Sequence, residues 1–401
     1  MTEVDAGPQT FPFADDAEPD LLARYADRRA TCPLGHVRIA SGHDAVLVVT
    51  YQDALAAMGD PRLSHDLTAP GSPRIAAGPS FLDTRESLLN RDGEEHLRVR
   101  RIVASAFTPR RIERWKPVIE AVATELLDEL EKAGPPTDLV AGYCYLLPVR
   151  IICRLLGVPE EDSGRFREWS NAFLQGAKMT PERRMQLVGE FIAYSTALIA
   201  RRRAEPGNDL IDELIAARDG SDRLTERELV NLSTGLIAAG NETTSNALGR
   251  SVLALLSDGR RLWEQLVGKP DLIPAAVDEL LRATSVGAGL LRQAIEDVEL
   301  PSGTVKAGEA VVISVCSPQR DESAYPDPDE IRFDRDAPQV LTFGAGAHYC
   351  LGAHLAKAEL RIGLGLLMAR FPELRLAVDP AELRYTEGDV ISSLVSLPVA
   401  W

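Results

Sequence analysis

Phe343-Gly344-Ala345-Gly346-Ala347-His348-Tyr349-Cys350-Leu351-Gly352 is the stretch on which the reading of this chain turns. Its glycines permit a tight backbone turn, and Cys350 follows where a helical pattern running to Arg370 begins. The positive end of a helix dipole and its free N–H groups favour thiolate over thiol, and a thiolate is either a nucleophile or a metal ligand. A nucleophile needs a base, and His348 is near in sequence, but nothing else resembling a triad accompanies it. An inert buried cysteine is the bland alternative, and the flanking glycines and aromatic residue argue against it.

Outward from this loop, the pattern is mostly helical with a minor β part. Thr225-Glu226-Arg227-Glu228 has the form of a capping box, and the apolar pattern behind it continues to Leu256 and stops at Asp258-Gly259. So long a helix is expected to cross the whole molecule. Helices are also expected over Glu95-Phe107, Arg111-Lys132, Tyr145-Leu156, Asp162-Leu174, Pro181-Ala204 and Asp271-Arg282. Val37-Ala40 and Ala45-Val49 alternate like strands around a turn, a short helix follows from Tyr51, and Leu291-Ala294 and Ala310-Val315 read as strands. A Pro- and Asp-rich meander spans Ser317 to Gln339, and short strands close the chain around Leu374-Val378 and Leu397-Val399. Pro70 to Ser80 reads as a loop long enough to be functional.

Composition sets the outer bounds. The 401 residues, 45% hydrophobic and 26% charged, suit a soluble globular protein, and with no dividing tract residues 1–401 are expected to form one domain. Lys+Arg 44 against Asp+Glu 60, a net charge of -16, argues against nucleic acid as a partner. The longest apolar runs, Leu236-Ala239 and Leu364-Ala369, fall far short of the ~20 residues that span a bilayer, so no membrane association is expected. The acidic start, with Glu3, Asp5, Asp15 and Asp16, is unlike a signal peptide, which points to the cytoplasm. Five scattered cysteines without a CxxC pair indicate neither a disulfide framework nor a zinc site.

The Cys350 segment resembles the haem-binding loop of cytochrome P-450 monooxygenases, Phe-Gly-x-Gly-x-His/Arg-x-Cys-x-Gly, with every defining position filled. The resemblance implies a helix-rich P-450 fold with a small sheet and haem b held by the Cys350 thiolate, O2 being co-substrate. A thiolate pushes electron density onto iron and favours O–O cleavage. It also assigns Phe343, Gly344, Gly346, His348 and Gly352 to the cofactor site. Ala239-Gly240-Asn241-Glu242-Thr243-Thr244 looks like the oxygen-activation motif: Gly240 opens the helix, Thr243 hydrogen-bonds the activated oxygen, and Glu242 relays protons. On its own that segment reads equally as a surface Glu and a Thr bonding back to its helix.

Glu279-Leu280-Leu281-Arg282 is similar to the family's ExxR helix, where the pair is buried and structural, and Arg320 belongs to the meander pattern with it. His96 and Arg100, four apart on one helical face, and Arg292 match donors to the haem propionates. One departure stands out. Where the family often has a propionate-binding His before the loop, this chain reads Val340, which cannot donate, so anchoring is expected to rest on His96, Arg100, Arg292 or water. The resemblance runs from about Pro12 to Trp401, with no anchor helix, as in soluble bacterial members, most of which act as monomers.

Substrate contacts follow only from topology. Phe81, Leu82, Phe173, Leu174, Ile237, Ala238, Val286, Ala288, Leu290 and Leu394 are candidate pocket residues, core packing being the equal alternative for each. Small side chains over Ser285-Gly289 suggest room for a bulky, mainly apolar or aromatic natural product to be hydroxylated or epoxidised. Oxidative coupling at the same haem and a non-catalytic haem sensor or carrier are the other readings. The chain has no GxGxxG unit, flavin or iron–sulfur motif, so electrons from NAD(P)H must arrive through external partners, a ferredoxin and its ferredoxin reductase. Arg98, Arg101, Arg110, Arg111, Lys357 and Arg361 are expected to form a basic docking patch beside Cys350.

Overall fold

Thr225 starts the element around which the rest is arranged. Its hydroxyl accepts the Glu228 N–H at 3.1 Å while the Glu228 carboxylate accepts the Thr225 N–H at 2.7 Å, a reciprocal cap that satisfies two otherwise free donors. Arg91 reaches the same carboxylate at 2.6 Å, and Arg98 joins it. From this cap a helix of 32 residues, Glu226–Ser257, runs about 48 Å at 1.5 Å per residue. The structure is a computed structural model that describes residues 8–13, 18–75, 84–159, 162–174, 179–207, 209–219, 224–285, 289–336, 338–386 and 393–401.

Helices Leu146–Leu156, Ser163–Leu174, Pro181–Ala204, Leu210–Asp219, Arg261–Gly268, Ile273–Ala283 and Ala353–Arg370 all pack on this beam, so its middle is walled in on most sides. Helix Pro109–Ala133 lies on Ala353–Arg370 and carries an apolar stripe of Ile119, Val122, Ala123, Leu126 and Leu130 into the main core. Tyr143, fully buried in a π-helical turn, finds its partner by donating to the Gly363 carbonyl at 2.9 Å. A Cβ at Gly363 would stand 2.8 Å from Leu147, so only glycine lets these elements approach so closely. No described helix is long and apolar enough to cross a membrane.

The expected β part is a mixed six-stranded sheet ordered Gln9–Phe11, His36–Ile39, Asp44–Val48, Ala310–Ser314, Gly289–Ala294 and Leu63–Ser64. Central strand Ala310–Ser314 is buried at every residue, and its run of Val and Ile suits a strand covered on both faces. Smaller sheets join Arg375–Leu376, Pro398–Ala400 and Thr137–Asp138, and Val298–Leu300 with Gly303–Val305. Helices Glu18–Thr31, Leu210–Asp219 and Arg261–Gly268 were not expected from the sequence.

One ion pair fastens the meander to this body. Arg282, its side chain 0% exposed, grips Glu279 with two parallel hydrogen bonds of 2.8 Å. The same guanidinium donates to the carbonyls of Gln319 and Pro328 at 2.8 Å and Glu330 at 3.1 Å, and stacks over the Tyr325 ring. Glu279 also accepts from the Arg332 N–H at 3.0 Å and from Arg335 Nε at 3.1 Å. Arg320 bonds Asp329 and the Ala283 carbonyl, closing the meander on the end of helix Ile273–Ala283. Breaking a buried pair strands the surviving charge, so Glu279→Ala is predicted to cost about 3–5 kcal/mol. Urea denaturation of the variant against the parent checks it.

Candidate active site

The Cys350 loop is shaped by its glycines. Gly344 and Gly346 adopt φ of 72° and 70°, a region that disfavours side chains. A Cβ on Gly346 would also lie 2.8 Å from the Met58 carbonyl, so the loop closes directly on the end of helix Tyr51–Gly59. The Cys350 N–H donates to the Phe343 carbonyl at 2.8 Å, closing Phe343 to Cys350 into one loop. Thr342 ties the loop to the ion-pair helix by donating to the Leu281 carbonyl at 2.8 Å.

Cys350 precedes helix Ala353–Arg370, and the backbone N–H groups of Gly352 and Ala353 at that helix start favour its thiolate form. Burial pushes the thiol up, and those two donors together with the Arg100 charge pull it back toward thiolate. The residue keeps open surface although protein encloses most of it, as a thiol lining a cleft would. Cys144, by contrast, is wholly buried and pushed far up by desolvation, the state of an inert cysteine.

The middle of the central helix is the second component. Ala239 is exposed and Leu236, Gly240 and Thr243 are half-exposed, while Ile237, Ala238, Asn241 and Glu242 are buried. Seven described helices pack on this beam, and the stripe is a part of its middle that they leave uncovered. Gly240 turns its missing side chain toward Ile152, whose Cδ1 would stand 3.1 Å from a Cβ. Thr243 Oγ1 donates to the Ala239 carbonyl at 3.0 Å. Glu242 points elsewhere: its carboxylate accepts from Ser393 Oγ at 2.9 Å and Asn246 Nδ2 at 3.3 Å, and Asn246 bonds Ser393 at 2.7 Å. The acid and the alcohol are thus neighbours in sequence with separate partners.

Third is a wall of bases. The ring of His348 stacks between His65, at 3.4 Å and 15°, and His96, at 3.8 Å and 19°. Arg100 donates to the Tyr349 carbonyl, and Arg292, 8% exposed, donates to the Leu291 carbonyl at 2.7 Å. Nε2 of His65, Nε2 of His96 and Nε of Arg292 are buried with no partner among the described residues. Burial lowers Arg292 to about 10 against the pull of Asp92, while burial and the charges of neighbouring bases lower His96 to about 4 and hold His65 and His348 below the usual imidazole range. Unpartnered nitrogens beside the Arg100 and Arg292 guanidinium groups call for anions, and the two carboxylates of a haem would fit there, with Cys350 placed to offer a thiolate.

The sequence-predicted residues fall into clear groups. Phe343, Gly344, Gly346, His348, Cys350 and Gly352 share the loop, and His96, Arg100 and Arg292 converge beside it. Ile237, Ala238 and Leu394 belong to the main core rather than to an open surface, because the uncovered helical face is displaced by one residue, to Leu236, Ala239 and Thr243. Leu290 is half-exposed in its strand. Phe173 and Leu174 end a helix, but their side chains, like residues Phe81, Leu82, Val286 and Ala288 altogether, lie outside the described residues. The basic patch is largely neutralised: Arg98 pairs with Glu228, Arg111 with Glu213, and Lys357 and Arg361 with Asp278. Sequence reasoning missed His65, Asn246 and Ser393, which carry no motif.

Known proteins resemble this chain over nearly its whole length. The family model Cytochrome P450 matches residues 178–382. The chain is 41% identical over 398 residues to mycinamicin IV hydroxylase/epoxidase of Micromonospora griseorubida, covering 99% of each. It is equally 41% identical over 407 residues to nocardicin C N-oxygenase of Nocardia uniformis subsp. tsuyamanensis, covering 100% of each. The crystal structure of a cytochrome P450 hydroxylase from the leinamycin biosynthetic pathway of Streptomyces atroolivaceus superposes with a TM-score of 0.89 at 39% identity, over 98% of this chain and 100% of that one.

The base wall fixes a pH dependence. With folded His96 at about 4 against 6.5 for the free side chain, the unfolded chain binds more protons in between, so stability falls as pH drops through that window. Thermal melts of cofactor-free protein are predicted to move steadily lower from pH 6.5 to 4, and His96→Gln to flatten the slope.

Proposed function

The chain belongs to the cytochrome P450 family, and from that premise we propose that it oxidises a bulky, mainly apolar or aromatic natural product, with Cys350 as the axial ligand of its haem. It is a monooxygenase that uses haem, an axial cysteine thiolate and O2. The observation that carries the substrate reading is the uncovered stripe of Leu236, Ala239, Gly240 and Thr243 on an otherwise enclosed helix. These side chains are small or apolar, and they leave internal space that an apolar ligand can fill. The activities of the two relatives, hydroxylation or epoxidation and N-oxygenation, favour oxygen insertion.

When bound, haem supplies the activation of O2 by two externally delivered electrons. The protein's part is local. Gly352 and Ala353 hold negative charge on Cys350 through their N–H groups. Leu236 and Ala239 orient an apolar substrate and displace water from the helix face. Thr243, whose hydroxyl borders that space, can rotate from the Ala239 carbonyl to offer its proton there. Glu242, held away from Thr243 by Ser393 and Asn246, would have to turn from those partners to relay a proton to this turn of the helix.

Electrons come from a small acidic redox protein, and a ferredoxin fits. Arg101 and Arg110 are exposed, with no acidic partner among the described residues, and Arg101 follows the Arg100 that bonds the Tyr349 carbonyl. They keep a positive face next to the cofactor loop after the other cations are paired.

Titrating haem-loaded protein with macrolide, terpenoid and aromatic natural products, followed by the haem spin-state shift, tests the substrate class. Ala239→Phe is predicted to weaken a responding bulky ligand about tenfold; tighter or unchanged binding would contradict the placement of the pocket. Arg101→Glu with Arg110→Glu is predicted to slow ferredoxin-driven reduction about tenfold at low salt and little at high salt, by stopped-flow absorbance.

A further inference from the structure

His65 stands in the base wall beside the sequence-predicted His96, Arg100 and Arg292, and three features make it more than a surface histidine. Its ring lies face to face on His348 at 3.4 Å, the closest contact in the imidazole stack. Asp92 fixes it from behind, accepting from His65 Nδ1 at 3.2 Å and from the His65 N–H at 3.1 Å while also accepting from Ser64 Oγ at 2.5 Å. Its other nitrogen, Nε2, is buried without a partner among the described residues, as are Nε2 of His96 and Nε of Arg292.

Two kinds of ligand could satisfy such a nitrogen. His65, Asp92 and His348 offer atoms within 4.8 Å of one another, which is metal-ligand spacing. The surrounding charge decides against a cation. Arg292 acts on both His65 and His348, Arg100 acts on His96, and the one carboxylate, Asp92, already accepts from Ser64 and His65. A divalent ion would enter a field of two guanidinium groups with a single anion for company. A carboxylate would meet that same field as attraction and collect the orphaned donors.

We propose that His65 is a third imidazole of the carboxylate-binding wall, donating from Nε2 to a haem propionate while Asp92 holds its Nδ1–H. The inference rests on the haem-thiolate reading and adds a residue to it. With Val340 unable to donate, His65 joins His96, Arg100 and Arg292 in holding the cofactor's acidic edge. Without the cofactor, burial holds His65 below the usual imidazole range, and a carboxylate at Nε2 would oppose that by favouring the protonated ring, so His65 is a positioning residue for the cofactor rather than a catalytic one.

Haem release to excess apomyoglobin tests this, using protein loaded either with haem or with haem dimethyl ester, whose propionates carry no charge. His65→Ala is expected to release haem about tenfold faster, the loss of one charge-assisted hydrogen bond, with the thiolate absorption band of the reduced CO complex unchanged. The same variant is expected to release the dimethyl ester at the parent rate, and His65→Gln to fall between. Equal acceleration for both cofactors would mean a purely structural role and overturn the proposal. Unchanged haem release, or one zinc ion held tightly by haem-loaded parent protein and lost in His65→Ala, would overturn it too. Parent protein with no thiolate band at all would instead defeat the haem-thiolate reading, so the two failures are distinguishable.

Discussion

A guanidinium with no access to water holds this molecule's chemistry in place. Arg282 is wholly buried, and its charge is tolerable only because Glu279 meets it through two parallel hydrogen bonds and three meander carbonyls take its remaining protons. That arrangement fixes segments remote in sequence against helix Ile273–Ala283. The Cys350 loop hangs from the same helix through Thr342 and the Leu281 carbonyl. Loss of the pair would therefore loosen the loop that presents the thiol, although neither residue touches it.

The site itself is organised by opposed charge. Two N–H groups and the Arg100 charge favour negative sulfur against the cost of burying it. Close by, three stacked imidazoles and Arg292 lack enough anions of their own. On the proposed reading such a cluster is costly in the protein alone and would become favourable with a dianionic cofactor, concentrating binding energy where its acidic groups would lie. The central helix contributes the apolar counterpart, an uncovered stripe on a helix otherwise sunk in the core.

Much of this was legible in the sequence because it depends on local patterns. The capping box at Thr225 announced the central helix, and the glycines around Cys350 announced a turn that only glycine makes. What was hidden depends on contacts between distant segments. His65 and His348 meet only because a strand end and the cofactor loop are brought together by the fold. Leu236, Ile237, Ala238 and Ala239 are all apolar, so periodicity could not set the phase of the open face. The basic patch looked continuous because its neutralising acids, Glu213, Glu228 and Asp278, come from other helices. Helix Arg261–Gly268, one of those not foreseen, has only eight residues and too few turns to show a period.

The most direct measurement is the absorption spectrum of purified, haem-loaded protein, reduced and saturated with CO, for the parent and for Cys350→His. The account predicts a band near about 450 nm in the parent and its displacement to about 420 nm in the variant. A parent band at about 420 nm, or one at about 450 nm that survives the substitution, would contradict the assignment of Cys350 as the axial thiolate.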